Sequence, residues 1–170
     1  TKNLKNIFKK KIDIVIHLAS FKKVQESISN PKKYFINNVT KTKKFLKICM
    51  KFNVNKIIFA SSASIYGKQK KLKVKENDMP NPLSPYAKNK IDIENYIKIL
   101  ANQKKIKYVI LRYFNVAGAE KELKTGLISK YSTHLIKIAC EVATNKRKKL
   151  VINGSDYNTI DGTPVRDYIH

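Results

Sequence analysis

The sequence of 170 residues lacks tryptophan and has only two cysteines and five glycines. Cys49 and Cys140 lie far apart and form no C-x-x-C pair, which argues against a disulfide framework or a zinc site and favours a reducing cytoplasm. No apolar run approaches the length that spans a membrane. The glycines are too scattered to form a G-x-x-G-x-x-G loop that cradles phosphates; they are Gly67, Gly118, Gly126, Gly154 and Gly162. We therefore expect neither a metal site nor a membrane anchor.

Acidic residues are also scarce, with 12 against 36 basic ones, and the formal net charge is +24. Such a charge would normally suggest binding to nucleic acid. Almost all of it is lysine spread along the chain, and the only arginines, the residues that most often contact bases, are Arg112, Arg147 and Arg166. We interpret the charge as a result of drift in amino-acid composition and not as the mark of a nucleic-acid site. A basic nucleic-acid-binding module remains the alternative, and its binding would have to weaken steeply with salt.

What the sequence does contain is an alternation of apolar runs and stretches with helical spacing, and its 42% hydrophobic residues suffice for a core. The short runs predict strands, at Ile12–Ala19, Lys56–Ser62, Lys107–Asn115 and, more weakly, Leu150–Gly154. The helical spacing predicts helices at Val39–Asn53, from Tyr86 to about Gln103, and from about Ser132 to Asn145. Strands that alternate with helices indicate a parallel sheet with right-handed crossovers, an open α/β fold.

In open α/β sheets, ligands bind beyond the carboxyl ends of the strands. This rule selects three segments that follow predicted strands: Leu18–Lys22, Ser61–Ser64 and Phe114–Ala117. Tyr86 stands at the start of a predicted helix. We expect all of these residues to converge on one cleft.

The stretch "SPYAKNK" places Tyr86 and Lys90 four residues apart, and on a helix such positions share a face. An ammonium about 5 Å away, at an effective dielectric near 20, would lower the pKa of the tyrosine by around two units. That shift would help the phenol act as a general base. The hydroxyl of Ser62, at the end of a neighbouring strand, could orient the oxygen that loses its proton. An ordinary surface tyrosine and lysine on one helix is the alternative.

A second tyrosine-x-x-x-lysine pattern runs from Tyr66 to Lys70. It precedes Gly67 at the end of a strand, where a loop gives the lysine no reason to face the tyrosine. The pair in "SPYAKNK" is therefore the better candidate.

Six motifs in order carry a family resemblance: "IDIVIHLASFKKVQES", "FINNV", "IIFASSASIYG", "SPYAKNK", "LRYFNVAGA" and "DGTPVRDYIH". On these the chain resembles the extended short-chain dehydrogenase/reductase superfamily and, within it, the UDP-glucose 4-epimerases. The resemblance implies a Rossmann-like doubly wound parallel sheet, NAD as cofactor, and interconversion of UDP-glucose and UDP-galactose through a transient 4-keto sugar. Related dehydratases carry an acidic pair after the second strand, where this chain has Ser62-Ala63. Epimerisation is therefore favoured, and another sugar-nucleotide epimerase or dehydratase is the alternative.

The resemblance implies three catalytic residues, namely Tyr86 as base, Ser62 as its hydroxyl partner, and Lys90 as the ammonium that also holds the nicotinamide ribose. All three would contact the cofactor, and further residues would line its site: Leu18, Ala19, Ser20, Phe21, Lys22, Asn37 and Phe114. Besides Ser62 and Tyr86, the UDP-sugar would contact Asn115, His134, Val151, Ile152, Asn153 and Arg166. Arg166 would bind the diphosphate through charge-assisted hydrogen bonds.

Simpler roles remain open for several of these residues. Asn37 and Asn115 could be loop caps, Arg166 a surface charge, and His134 the start of a core-facing helix. His17, on an apolar strand, is expected to be a satisfied core residue and not a metal ligand.

The sequence departs from the family in two places. It has no counterpart of the first strand–turn–helix with its glycine-rich phosphate loop, and none of the C-terminal segment that completes the sugar pocket. We interpret the chain as a central fragment, with residues 1–115 from the NAD-binding domain and 116–170 from the start of the UDP-sugar region. We expect the intact protein to be a homodimer. The fragment alone should neither retain NAD nor turn over UDP-galactose. It should also dissolve poorly, because its first strand has lost a neighbour.

Overall fold

Runs of isoleucine, valine and phenylalanine form a three-stranded sheet in the computed structural model, which describes residues 2–69, 73–129 and 132–170. All pairs are parallel and the order follows the chain; the strands are β1 (Val15–His17), β2 (Lys56–Ser62) and β3 (Lys107–Tyr113). β2 has the predicted bounds. The first strand is shorter than predicted at both ends, and the third begins at Lys107 as predicted but stops at Tyr113.

The chain divides into two units, Thr1–Tyr113 and Phe114–His170. The first unit contains the sheet and five helices, α1 (Lys2–Ile7), α2 (Val24–Ser29), α3 (Pro31–Tyr34), α4 (Lys41–Lys51) and α5 (Pro85–Asn102). A π-helical segment, Phe35–Thr40, joins α3 to α4, and a 3₁₀ turn, Ala63–Tyr66, follows β2. Helices α4 and α5 confirm two predictions. Helices α2 and α3 were not predicted, although Pro31 in the first turn is a known helix-start signal.

Helices α4 and α5 cover one face of the sheet. Alternate residues of β2 point to that face, and they are buried against apolar side chains of both helices and of α1; the cluster includes Phe8, Leu46, Cys49, Ile57, Phe59, Ile93 and Ile97. Each such side chain contributes about 1.5–3 kcal/mol when it leaves water. Cys49 is buried, as expected of a small hydrophobic residue.

His17 lies at the rim of this core. Its Nε2 is 3.1 Å from the Thr42 hydroxyl oxygen, and its ring stacks on Phe45 and Phe59 with ring centres 5.4 and 6.0 Å away. Burial lowers the pKa of His17, and the charge of Lys90 lowers it further. The expectation of a satisfied core residue is confirmed, with His17 half-buried at the edge of the core.

The opposite face of the sheet carries an apolar row across all three strands. Ile16 of β1 pairs with Ile58 of β2, which pairs with Val109 of β3. Ile16 is 60% exposed and Val109 is 51% exposed. Within the described residues, β1 has β2 as its one hydrogen-bonded neighbour. The expectation that the first strand leaves apolar surface uncovered is therefore confirmed, while poor solubility stays a prediction.

The second unit has little regular structure. Strand β4 (Asn115–Val116) pairs in parallel with β5 (Tyr168–Ile169), and one helix, α6 (Leu135–Ala143), lies between them in the sequence. The prediction of a strand at Leu150–Gly154 is wrong, because this segment is irregular. Val151 and Ile152 are exposed, and Gly154 has a positive φ of 87°, which turns the backbone out of an extended path.

No helix within the described ranges combines the length and the apolar character needed to cross a bilayer.

Candidate active site

The loop after β1 is fixed by a buried asparagine. Asn38 clamps the backbone of Phe21 from both sides, since its Oδ1 accepts from the Phe21 N–H and its Nδ2 donates to the Phe21 carbonyl, both at 2.9 Å. Asn37, predicted to contact the cofactor, donates instead to Asn38 Oδ1 at 3.1 Å. The loop residues Leu18, Ala19, Phe21 and Lys22 are exposed and Ser20 is half-buried. The structure thus places a rigid, accessible loop at the carboxyl end of β1.

Sequence reasoning missed Asn38, although "FINNV" contains both asparagines. The two lie in the π-helical segment, whose wider turn changes which side chain faces the loop. An α-helical register cannot reveal that change.

Ser62 ends β2 and begins the 3₁₀ turn. Its Oγ accepts hydrogen bonds from the backbone N–H of Ser64 at 3.2 Å and from the Ser64 hydroxyl at 2.9 Å. The Ser62 side chain lies close enough to the Tyr86 phenol to lower its pKa. The two residues are therefore neighbours, as predicted.

Tyr86 occupies the first turn of α5, and two serines fix this turn. Ser84 caps the helix by accepting the Ala87 N–H at 3.2 Å, with Pro85 as the first helical residue. The Tyr86 N–H donates to Ser27 Oγ of α2 at 3.2 Å. The start of α5 is consequently held both by its own cap and by a neighbouring helix.

Lys90 lies one turn further along α5, on the face of Tyr86 as predicted. It is only 5% exposed, and its ammonium donates to the Ala60 carbonyl of β2 at 2.8 Å. Its Nζ is 5.6 Å from the ring centre of Tyr86 and 5.1 Å from that of Phe59. Burial lowers the pKa of Lys90 to about 8, and the charge of Glu94 opposes this shift.

The prediction that Lys90 lowers the pKa of Tyr86 is wrong for this structure. Burial raises the pKa of Tyr86, and the polar side chain of Ser62 works in the opposite direction. The Lys90 ammonium sits over the face of the ring and donates to Ala60, so the loss of water around the phenol dominates. Additional positive charge near the hydroxyl is needed before Tyr86 can act as a base at neutral pH.

A buried ion pair lies directly behind this site and was not predicted. Arg112 of β3 binds the Glu94 carboxylate of α5 with two hydrogen bonds of 3.1 and 2.7 Å, and the Ser61 hydroxyl donates to the same carboxylate at 2.5 Å. Two signals were available in the sequence: an arginine inside an apolar strand, and a glutamate four residues after Lys90.

The tyrosine of the second tyrosine-x-x-x-lysine pattern contacts this ion pair. The Tyr66 hydroxyl accepts a hydrogen bond of 2.7 Å from Arg112 Nη1, and the ring is buried. Lys70 lies outside the described residues.

The second unit brings two predicted sugar-contacting segments together. The side-chain amide of Asn115 donates to the Asp167 carbonyl at 2.9 Å, and β4 pairs with β5 immediately beyond Arg166. His134 directly precedes α6 and donates its backbone N–H to Ser132 Oγ at 3.1 Å. The remaining predicted contacts of this unit are exposed; they are Phe114, Val151, Ile152, Asn153 and Arg166.

A groove of about 600 Å³ lies beside the starts of α3 and α5, and none of the predicted site residues line it. Its walls are Pro31, Lys32, Phe35, Pro82, Leu83, Ser84, Pro85, Lys88, Asn89 and Asp92. The Asn89 side-chain nitrogen is buried there without a hydrogen-bond partner.

Comparison with known proteins agrees with the family resemblance of the motifs. Residues 1–170 match the model of the NAD dependent epimerase/dehydratase family. The chain belongs to this family. A UDP-glucose 4-epimerase of Streptococcus mutans is 42% identical over 159 residues, which make up 94% of this chain and 48% of that protein. The UDP-glucose 4-epimerase of Azospirillum brasilense is 38% identical over 160 residues, again 94% of this chain and 46% of that protein.

Solved structures show the same relationship and confirm the Rossmann-like fold. The UDP-glucose 4-epimerase from Bifidobacterium longum, solved in complex with NAD+ and UDP, superposes with a TM-score of 0.92 at 37% identity, covering 98% of this chain and 51% of that one. The Brucella ovis enzyme in complex with NAD gives a TM-score of 0.93 at 36% identity, covering 99% and 52%. The chain thus spans about half the length of the relatives it matches.

Proposed function

We propose that the protein interconverts UDP-glucose and UDP-galactose by NAD-dependent epimerisation at C4. The observation that carries this proposal is the grouping of Tyr86, Ser62 and Lys90 at the carboxyl edge of the parallel sheet, in a chain whose relatives are UDP-glucose 4-epimerases. The alternative of a dehydratase is less well supported. Ser62-Ala63 offers no acid after β2, and the nearby Glu94 carboxylate is already bound by Arg112 and Ser61.

The residues at this edge of the sheet fit the nicotinamide and ribose half of NAD. An ammonium carries three donors, and Lys90 uses one of them on Ala60, so it has capacity to hold ribose hydroxyls. The clamped loop around Phe21 offers an accessible wall beside them. The sequence contains no glycine-rich loop for the diphosphate. When bound, NAD would supply a hydride acceptor and donor for C4.

The side chains then have distinct tasks. Tyr86 would take the proton of the C4 hydroxyl and later return one, while Ser62 orients that oxygen by hydrogen bonding. Lys90 would hold the nicotinamide ribose, and the cationic nicotinamide would supply the additional positive charge that the buried Tyr86 phenol needs. Loss of the hydroxyl proton and of the C4 hydride leaves a carbonyl at C4. Return of a hydride to the opposite face of C4, and of a proton to the oxygen, inverts the centre.

We place the UDP-sugar on the second unit through Asn115, His134, Val151–Asn153 and Arg166. Support comes from the pairing of β4 with β5, which sets Asn115 beside the "RDYI" segment. Arg166 would bind the diphosphate, because a guanidinium matches phosphate oxygens in geometry and charge.

We further propose that the complete protein is a cytoplasmic homodimer. Cys49 and Cys140 are both free thiols, which suits a reducing compartment. Apolar side chains are exposed on helices that pack together in the first unit, including Ile28, Phe35, Ile36 and Ile99. Light scattering on the complete gene product should give twice the mass of one chain, and a monomer at micromolar concentration would contradict the proposal.

The 170-residue chain by itself should behave differently. Without a phosphate loop in these residues, we expect it to bind NAD too weakly to retain it through purification, and to be inactive. Denaturing the purified chain and assaying the supernatant for NAD tests this expectation. Stoichiometric release would show that these residues hold the cofactor unaided.

The activity itself is tested with the complete gene product that contains these residues. Incubated with UDP-galactose, it should form UDP-glucose, and Tyr86→Phe should reduce kcat by about 10²–10⁴-fold. Tyr66→Phe is the matched control, since it removes the hydroxyl of the other tyrosine-x-x-x-lysine pattern and should leave most of the activity. A 4-keto-6-deoxy sugar, or no UDP-glucose, would contradict the proposal.

A further inference from the structure

Glu94 is the most deeply buried charged side chain close to the Tyr86–Lys90 pair, with 2% exposure. Its carboxylate accepts from Ser61 at the end of β2 and from two nitrogens of Arg112 on β3. A carboxylate can stay ionised in such a place only because charged and polar donors replace its water.

Arg112 connects the Glu94 carboxylate to two more segments of the chain. Its Nη1 donates to the Tyr66 hydroxyl of the 3₁₀ turn and to the Glu76 carbonyl of the following loop, both at 2.7 Å. The guanidinium is planar, so four hydrogen bonds fix its orientation tightly. The position of the Glu94 carboxylate is thereby tied to both strands and to the segment after Ser62.

Lys90 meets charged or polar groups from every element around it. On α5, Glu94 follows Lys90 by one helical turn, and adjacent residues of β2, Ser61 and Ala60, bind the two side chains. The Tyr86 ring lies beside Lys90 on the same helix, and from β1 comes His17, whose pKa the charge of Lys90 lowers. β2 contributes the Ala60 carbonyl and the Phe59 ring. The remaining cation, Arg112 of β3, is directed at Glu94. Among these groups Glu94 is the one carboxylate.

We propose that Glu94 is a positioning residue for the Tyr86–Lys90 pair: held by Ser61 and Arg112, its carboxylate keeps the buried Lys90 ammonium charged and seated on the Ala60 carbonyl. Glu94 touches neither cofactor nor sugar in this role and acts only through Lys90. The catalytic role of Glu94 rests on the proposed epimerase function. The electrostatic coupling between Glu94 and Lys90 does not depend on that function.

The coupling is measurable on the complete gene product that contains these residues, stripped of NAD and without UDP-sugar. In protein labelled with [¹³C]lysine, one side-chain resonance should titrate near pH 8, and it should disappear in Lys90→Met. In Glu94→Gln, which keeps the shape and removes the charge, the midpoint should fall by on the order of one pH unit.

Two matched variants separate charge from structure. Asp92→Asn removes the same charge from another side of α5 and should leave the midpoint unchanged. Ser61→Ala breaks one hydrogen bond to Glu94 but keeps its charge, so the midpoint should stay near that of the unmodified chain. Equal shifts in Glu94→Gln and Ser61→Ala, or no shift in Glu94→Gln, would overturn the proposal.

Should Glu94→Gln fail to fold, the unmodified chain still decides the question. The side-chain carboxyl carbon of Glu94 should show an inflection at the midpoint of Lys90, and its absence would overturn the proposal. Since no step uses substrate, a failed turnover assay leaves this result intact. Conversely, an uncoupled Lys90 would leave the epimerase proposal standing.

Discussion

The two units of the chain differ in how they hold their predicted site residues. Within the described residues, every buried hydrophobic side chain belongs to the first unit, while in the second unit only Ser132 is buried. Tyr86, Ser62 and Lys90 therefore rest on a packed core. Asn115 and Arg166 rest on a pair of two-residue strands. The predicted catalytic residues thus lie on the well-packed unit, and the other residues predicted to contact the UDP-sugar lie on the loosely packed one.

The strongest test of this contrast is a pair of identical truncations. Ile97→Ala in α5 removes a fully buried side chain and should lower the free energy of unfolding by about 2–5 kcal/mol. Ile136→Ala in α6 removes one that is 42% exposed and should cost less than about 1 kcal/mol. Urea unfolding followed by circular dichroism measures both. Equal losses would show that the second unit has a core of its own.

Lys90 offers a test through pH. Its pKa of about 8 lies below the usual 10.5, so the folded chain releases this proton before the unfolded chain does. Between pH 8 and 10.5 the unfolded state binds more protons, and this lysine's contribution to stability must rise with pH by about 3 kcal/mol. Lys90→Met should remove that rise. The measurement is the difference in unfolding free energy between the two proteins from pH 7 to 10.5, and a constant difference would contradict it.

Tyr66→Phe tests how much the hydrogen bond from Arg112 to Tyr66 stabilises the first unit. The variant deprives Arg112 of one acceptor but leaves Glu94 and the Glu76 carbonyl in place, so the loss should be about 1–2 kcal/mol. Tyr108→Phe, on the same sheet but 40% exposed, is the control and should stay within about 0.5 kcal/mol. Thermal unfolding separates the two, and indistinguishable midpoints would argue against a stabilising role for the Tyr66 hydroxyl.

The smallest stability effect is expected at Arg166. Because this side chain is exposed, Arg166→Gln should change the unfolding free energy by less than about 0.5 kcal/mol. In the complete gene product the same change should weaken UDP binding by about 10–100-fold, since charge-assisted hydrogen bonds to the diphosphate are lost. Calorimetric titration with UDP gives the affinity. If the affinity for UDP is unchanged, Arg166 is an ordinary surface charge and does not bind the diphosphate.

Local patterns predicted the elements that have strong local signals. The apolar run of β2 and the Ser84-Pro85 start of α5 are read from the sequence with almost their final bounds. The segment "LVING" was predicted wrongly, because a short apolar run does not reveal whether a partner strand exists. The strand that pairs with β4 is Tyr168–Ile169.

The site shows a different limit. Spacing alone placed Tyr86 beside Lys90, but it could not reveal that both are desolvated, and desolvation reversed the expected direction of the Tyr86 pKa. The clamp by Asn38 depends on a π-helical turn, and the partner of Arg112 depends on which strands become neighbours. These are properties of tertiary contacts, which one sequence does not display.

The parallel order of the sheet also governs the sequence of events on the ribosome. Synthesis proceeds from the N-terminus, so Glu94 emerges before Arg112, and β2 emerges before its second partner β3. Until Tyr113 has been made, the nascent chain holds a carboxylate without its guanidinium and a strand with one open edge. Such an edge binds other strands readily and is a target for chaperones. The Glu94–Arg112 pair therefore closes only when β3 arrives, and from that moment β2 is paired on both sides.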